Sequence, residues 1–309
     1  MKNALTLLCL TLVVLTNGCA FGQTLPTYKW TATIKVVVED GNPIAGANVA
    51  VSYTILPPPS DPNDRRYGEI KGATDTNGVF IASHTDSSWG LAIIVEKSGY
   101  YTTHIGHDLY QPGQFDDKTV TASRNPTIAL VLKKIGKPIP MYAKRNNQMI
   151  FPEYNKAIGY DLMVGDWVGP YGKGINADLF FTEKHTDPQS DYILSMSFPK
   201  PGDGIQEFTV PDAEKGSGLR SSHEAPVDGY QPEVSQTEMT NPNRNFYFRV
   251  RTKLDENGNV VSARYGKIYG DLAQFTYYFN PTPNDRNIEF DPKQNLLGGL
   301  KSLEQVSQP

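Results

Sequence analysis

Cysteine is nearly absent. The chain carries only Cys9 and Cys19, both close to the N-terminus. From Gln23 onward there is no disulfide framework, no thiolate metal site and no cysteine nucleophile. A basic excess is missing too: 29 Lys and Arg stand against 33 Asp and Glu, for a net charge of −4. Nothing there matches a phosphate backbone, so nucleic acid is not an expected partner. Long apolar runs are lacking, since residues 4–16 fall short of the roughly 20 helical residues that span a bilayer. Serine-hydrolase elbows, phosphate-binding loops and dinucleotide fingerprints are absent as well. The sequence therefore assigns no catalytic residue, no cofactor and no metal. With 39% apolar and 20% charged residues, it does have what packed domains need.

The apolar stretch follows Lys2 and gives way to Thr16, Asn17, Gly18, Cys19, Ala20, Phe21 and Gly22. A charge, a short apolar run and small residues form the tripartite pattern of a secretory signal peptide. The expected leader is residues 1–22, with cleavage before Gln23. Cys19 opens an alternative, lipidation at that residue, which would tether the protein to an outer membrane through acyl chains alone. Both readings imply export, to the periplasm, the cell surface or the medium.

Beyond the leader, Trp30, Ala32, Ile34, Val36 and Val38 alternate with polar neighbours, as do Ala47, Val49, Val51 and Tyr53. A period of two rich in β-branched residues signals strands. Residues 91–96 form a continuous apolar run, and Ile128, Leu130 and Leu132 complete the set. Residues 56–66, with four prolines, read as a protruding loop. Asp75-Thr76-Asn77-Gly78 reads as a tight hairpin turn with Gly78 at positive φ. No stretch here has helical periodicity.

Three pieces occur in order: Gly41-Asn42-Pro43-Ile44-Ala45-Gly46-Ala47-Asn48-Val49, then Thr74-Asp75-Thr76-Asn77-Gly78-Val79-Phe80, then Val95-Glu96-Lys97-Ser98-Gly99-Tyr100. Over residues 28–135 this succession resembles carboxypeptidase regulatory-like domains. The resemblance implies a transthyretin-like, carbohydrate-binding-like Greek-key β-sandwich serving as an accessory module, not a peptidase.

Residues 136–150 read as a linker, 151–298 as a second β-rich domain and 299–309 as a tail. The clearest hairpin joins residues 246–254 to 260–269 through Asn257-Gly258. Residues 199–245 lack periodicity and read as a long surface excursion. The segment 159–174, with 265–271 and 280–291, resembles an uncharacterised C-terminal region of exported bacterial proteins, which implies no activity. The fold expectation is all-β: a Greek-key sandwich followed by a second, mostly antiparallel sandwich-like domain.

His104 and His107 fall on opposite faces of a strand and have no supporting ligands. Asp161, Asp166, Asp178, Asp203, Asp271, Asp285, Glu289 and Asp291 are acids from which a glycosidase pair could be drawn; turn-capping is the simpler role. The aromatic loop 165–174 is the candidate binding surface. Trp167 and Tyr171 offer ring faces there, and Asp166, Lys173 and Asp178 offer polar contacts; the opposing reading has Trp167 plugging the core. The functional expectation is an exported, non-enzymatic binding or scaffolding protein of the bacterial cell envelope. Its partner would be a glycan or an envelope protein. The alternatives are a polysaccharide hydrolase with paired carboxylates and a purely structural spacer.

Overall fold

The computed structural model describes residues 27–55, 66–110, 113, 116–185, 192–237, 241 and 243–309. The leader with Cys19 and most of the proline-rich loop lie outside them. The fold is all-β.

The N-terminal sandwich contains β1 (Tyr28–Val38), β2 (Asn48–Ile55), β3 (Arg66–Ala73), β4 (Val79–Asp86), β5 (Gly90–Glu96), β6 (Thr103–Asp108), α1 (Asp117–Arg124) and β7 (Thr127–Leu132). One sheet runs β4-β1-β7, with β1 and β7 parallel, and the other runs β3-β2-β5-β6. Alternation decides the inward face: Trp30, Ala32, Ile34 and Val36 are fully buried and meet Val49, Val51, Leu91, Ile93, Leu130 and Leu132 of the facing strands. The three resembling pieces converge at one end. Thr74 Oγ1 donates to Ile44 O at 2.6 Å and accepts from Ala47 N at 2.9 Å, while Lys97 Nζ donates to Ala45 O at 2.8 Å and Gly46 O at 3.0 Å.

Two local expectations are corrected here. Asn77-Gly78 is not a hairpin turn, because β3 and β4 belong to opposite sheets; the turn carries the chain across the sandwich. Asp75 Oδ1 organises it by accepting from Asn77 N and Val79 N. A helix does exist, α1, capped by Asp116 on Lys118 N and Thr119 N. Its sequence, DKTVTASR, has one large apolar residue, so no hydrophobic stripe announces it.

The C-terminal part contains β8 (Ile139–Asn146), β9 (Ile158–Asp161), β10 (Asp166–Trp167), β11 (Leu179–His185), β12 (Tyr192–Ser197), β13 (Gly204–Glu207), β14 (Glu233–Gln236), β15 (Asn245–Leu254), β16 (Val260–Gly270), β17 (Phe275–Phe279) and β18 (Phe290–Asn295). A five-stranded sheet, β10-β9-β11-β12-β14, faces a six-stranded one, β13-β15-β16-β17-β8-β18. Residues 136–150, expected as a linker, thus supply β8, paired to β17 and β18. The six-stranded sheet is buried on both faces. Phe246, Phe248, Tyr277 and Phe279 meet the five-stranded sheet, while Tyr247, Tyr265, Tyr269 and Tyr278 meet residues 208–230 and the chain end. The expected tail is part of that cover: Val306 is buried and Gln308 O accepts from Tyr278 Oη at 3.1 Å.

Within the expected excursion 199–245, β13 and β14 pair into the C-terminal sheets, and residues 208–230 between them form a strap between the two sandwiches. Along it, His104 N donates to Gly216 O at 2.8 Å, Gly218 N to Thr102 O at 3.0 Å, and Lys133 Nζ to Ser221 O at 3.0 Å. Lys133 also pairs with Glu214 at 2.6 Å.

Both hairpin-signal glycines sit at positive φ, Gly78 at 71° and Gly258 at 82°, but their surroundings differ. A Cβ at Gly78 would stand 2.4 Å from Val36 O, whereas one at Gly258 would meet nothing within 4 Å. Gly258→Ala should cost about 1–2 kcal/mol from backbone strain alone. Gly78→Ala should cost about 1–2 kcal/mol more, since the Val36 carbonyl must also move. Urea denaturation of both variants checks this; equal losses would contradict it.

Candidate functional site

Loop 165–174 begins with the short β10, paired back onto β9, and runs on toward β11. Asp166 closes it: Oδ1 accepts from Trp167 N and Oδ2 from Lys173 N, both at 2.9 Å. Close approach dictates two of its glycines. A Cβ on Gly172 would stand 2.4 Å from Trp167 O, and one on Gly174 2.9 Å from Asp161 Cβ. Trp167 is half-buried. Its ring packs edge-on against Tyr160 at 5.4 Å and Phe181 at 5.7 Å, and lies 5.8 Å from Phe151. Most of its surface therefore serves the aromatic core between the sheets. Tyr171 is held from outside: its hydroxyl donates to Glu153, and Lys156 Nζ lies 2.7 Å away. Tyr171 and Glu153 together push the exposed Lys156 ammonium up to about 12.

The loop thus gathers Asp166, Trp167, Tyr171 and Lys173, but not Asp178. Asp178 is 3% exposed. Its carboxylate takes Arg251 Nε at 2.6 Å and Nη2 at 3.0 Å, with Leu162 N at 3.0 Å. Arg251 stands at φ 55°, a left-handed conformation costly for a side chain of its size, at an irregularity in β15. Asp178 grips its guanidinium, and Asp203 accepts from the backbone N–H of Arg251 at 3.2 Å and of Thr252 at 2.8 Å. The Asp178 hydrogen bonds raise the Arg251 pKa further. Burial pushes Asp203 up, opposed by the Thr252 and Arg251 hydrogen bonds.

The other acids singled out in the sequence are engaged in the same way. Asp161 ties Met163, Val164, Ile175 and Asn176; Asp271 ties Ala273, Gln274 and Asn241. Asp285 ties Asn287, Asp291 ties Lys293, and Glu289 ties Gly136 and Lys137. Each of these carboxylates accepts at least one backbone N–H, the pattern of a side chain that ties a turn or connection. His104 is exposed, and His107 Nε2 lies 2.7 Å from Ser123 O. Among the described residues no group of three His, Cys, Asp or Glu side chains could hold a metal.

The more open concavity lies on the other side of residues 148–156. It is a cleft of about 500 Å³ lined by Gln148, Met149, Ile150, Phe151, Tyr154, Glu183, Tyr192, Leu194, Ala273 and Gln274. None of its polar or aromatic residues stood out in the sequence. Tyr192 lies on the inward face of β12 with Leu194 and Met196 and packs, partly buried, against the core; three separate segments had to be brought together before they formed a site.

No family model matches the chain, and no curated protein matches it. Among solved structures, a mutant of the shaft pilin SpaA from Lactobacillus rhamnosus GG is 11% identical, covering 58% of this chain and 90% of that one at a TM-score of 0.24. A second SpaA structure from the same organism is 10% identical, covering 74% and 89% at 0.22. A streptococcal ancillary pilin is also 10% identical, covering 82% and 59% at 0.21. At these TM-scores the overlap does not extend to a common fold.

Trp167→Ala should lower stability by about 2–4 kcal/mol, as a part-buried large truncation. Asp178→Ala should cost about 3–5 kcal/mol, because it strands the Arg251 guanidinium. Tyr171→Phe should stay within about 0.5 kcal/mol, because the hydrogen bonds its hydroxyl makes lie at the exposed surface. Denaturant titration ranks the three; a Trp167→Ala variant as stable as the parent would show that the ring is not part of the core.

Proposed function

We propose that this chain is an exported, non-catalytic binding and scaffolding protein of the bacterial cell envelope. One observation carries the reading: the acids from which a hydrolytic pair could be drawn are committed to backbone N–H groups. What stays available for recognition is ring surface and amide groups. Carboxylate oxygens already holding backbone N–H groups leave fewer sites for a substrate. The N-terminal leader pattern supports export, with removal of residues 1–22 and lipidation at Cys19 as the alternative. The convergence of Gly46, Thr74 and Lys97 at one end of the first sandwich supports residues 23–135 as a carboxypeptidase regulatory-like module. Residues 151–298 then form the ligand-bearing domain, with β8 built into it from the preceding connection. On this reading the outer side of loop 165–174, Tyr171 with Lys173, offers one contact surface, and Asp178 serves the scaffold. The partner is a glycan or another envelope protein.

Intact mass and fractionation of natively expressed protein test this together. The expected product starts at Gln23, resides outside the cytoplasm, and is retained on envelope material from which it releases no reducing sugar. A diacylglyceryl-modified start at Cys19, lost in Cys19→Ala, would replace plain secretion with anchoring. An uncleaved cytoplasmic product, or sugar release abolished by a single Asp→Asn change, would overturn the reading.

A further inference from the structure

We propose that the cleft beside residues 148–156 is a saccharide site that takes neutral hexopyranose units of an envelope glycan; this rests on the envelope-binding reading above. The cleft opens beside interior strands of the five-stranded sheet and the turn between β16 and β17 of the six-stranded one. β11 and β12 contribute Glu183, Tyr192 and Leu194, the turn between β16 and β17 contributes Ala273 and Gln274, and residues 148–154 form the remaining wall. Its volume of about 500 Å³ falls within the range of small-ligand sites.

Three features specify the ligand. The first is an aromatic rim. Tyr154 is 58% exposed, its ring 4.5 Å from that of His185, which in turn lies 6.3 Å from Tyr192. Ring faces left open beside a concavity suit the C–H face of a pyranose. The second is the polar complement. Gln148 and Gln274 each present a donor and an acceptor, and Glu183 presents acceptors, the combination that ring hydroxyls require. The third is charge. Among the described residues no lysine or arginine lines the cleft, and the one carboxylate there, Glu183, has Oε1 2.9 Å from His185 Nε2 and the other oxygen left as an acceptor. A phosphorylated, sulfated or uronic-acid polymer would meet like charge without a counterion.

The wall is fixed before any ligand arrives. Met149 N donates to Ala273 O at 2.9 Å, and Asn155 N to Glu183 O at 2.8 Å. His185 N donates to Asn155 Oδ1 at 3.0 Å. Asn155 itself stands at φ 59°, a conformation asparagine tolerates better than other side chains. Phe151 packs edge-on against Phe181 at 6.4 Å. Tyr154 is thus carried on a tied turn, and a sugar need not order it on binding.

The test is saturation-transfer NMR and calorimetry on the mature chain with cellohexaose, maltohexaose, laminarihexaose and chitohexaose, with polygalacturonate as the anionic comparator. At least one neutral hexasaccharide should bind saturably. Tyr154→Ala and Tyr192→Ala should each weaken it about tenfold or more, about 1.4 kcal/mol, while Lys118→Ala, exposed on α1 of the first sandwich, leaves it unchanged. Circular dichroism and melting of the exposed-site variant Tyr154→Ala should match the parent. Binding by none of the four, equal binding of polygalacturonate, or undiminished binding in Tyr154→Ala would each overturn the proposal. If the protein is still retained on envelope material without saccharide binding, the cleft assignment fails and the envelope reading stands. Loss of both would remove the envelope reading as well.

Discussion

Glu289 is an ionisable side chain almost wholly removed from water, 2% exposed, at the seam between the two sandwiches. A carboxylate there is tolerable only with its acceptor sites filled. The donors come from both sides of the seam. Tyr101 Oη, just before β6 of the first sandwich, donates at 2.8 Å; Gly136 N and Lys137 N, on the connection, donate at 2.9 and 2.7 Å; His223 Nε2, on the strap, lies 3.5 Å away. The connection is cut to fit. A Cβ on Gly136 would stand 2.5 Å from Glu289 Oε2, so only glycine lets the backbone come this close. Burial, with the hydrogen bond and charge of Glu289, raises the Tyr101 phenol above its ordinary range and keeps it a donor.

Around that carboxylate the strap builds a second polar layer. Lys133 reaches Glu214 and the Ser221 carbonyl, and Lys267 Nζ lies 3.3 Å from Ser221 Oγ, which accepts from Tyr269 Oη at 3.1 Å. Burial depresses the Lys267 ammonium well below the usual lysine range, while the charge of Glu289 opposes that shift. An irregular stretch as long as residues 208–230 would ordinarily be a surface loop. Here its backbone bonds to β6 and its serines fill a polar seam, so it acts as structure. The same economy runs through the C-terminal sandwich, where carboxylates hold turns and the rings between the sheets supply the core. A binding surface resting on such a frame is presented without much ordering cost.

Much of this was legible in the chain. Period-two alternation marks β1, β2, β7 and the β15–β16 hairpin, and a continuous apolar run marks β5. The six-stranded sheet was harder to read: with both faces covered, Phe246-Tyr247-Phe248 and Tyr277-Tyr278-Phe279 run on continuously instead of alternating. β8 was taken for a linker because Pro138 and Pro140 signal a break, although both fit at the start of a strand. The acids could have been read more sharply. Asp75, Asp161, Asp255, Asp271, Asp285 and Asp291 each accept from the backbone N–H two residues on, the signature of a turn-capping side chain. The loop 165–174 was recognisable as a unit, but which face of Trp167 is covered depends on Phe151 and Phe181, and Asp178 turns inward only because Arg251 waits there. The cleft was not legible at all, since its walls come from residues far apart in sequence that become neighbours only through sheet pairing.

If the Glu289 seam is the constraint described, the two sandwiches unfold as one cooperative unit, and removing the carboxylate uncouples them. Differential scanning calorimetry of the mature chain and of Glu289→Ala measures this directly. The parent should show a single transition whose calorimetric and van't Hoff enthalpies agree. The variant, having lost a buried acceptor set worth about 3–5 kcal/mol, should melt earlier and in two steps. A parent that already melts in two independent transitions, or a Glu289→Ala variant that melts as one unit at an unchanged temperature, would contradict the account.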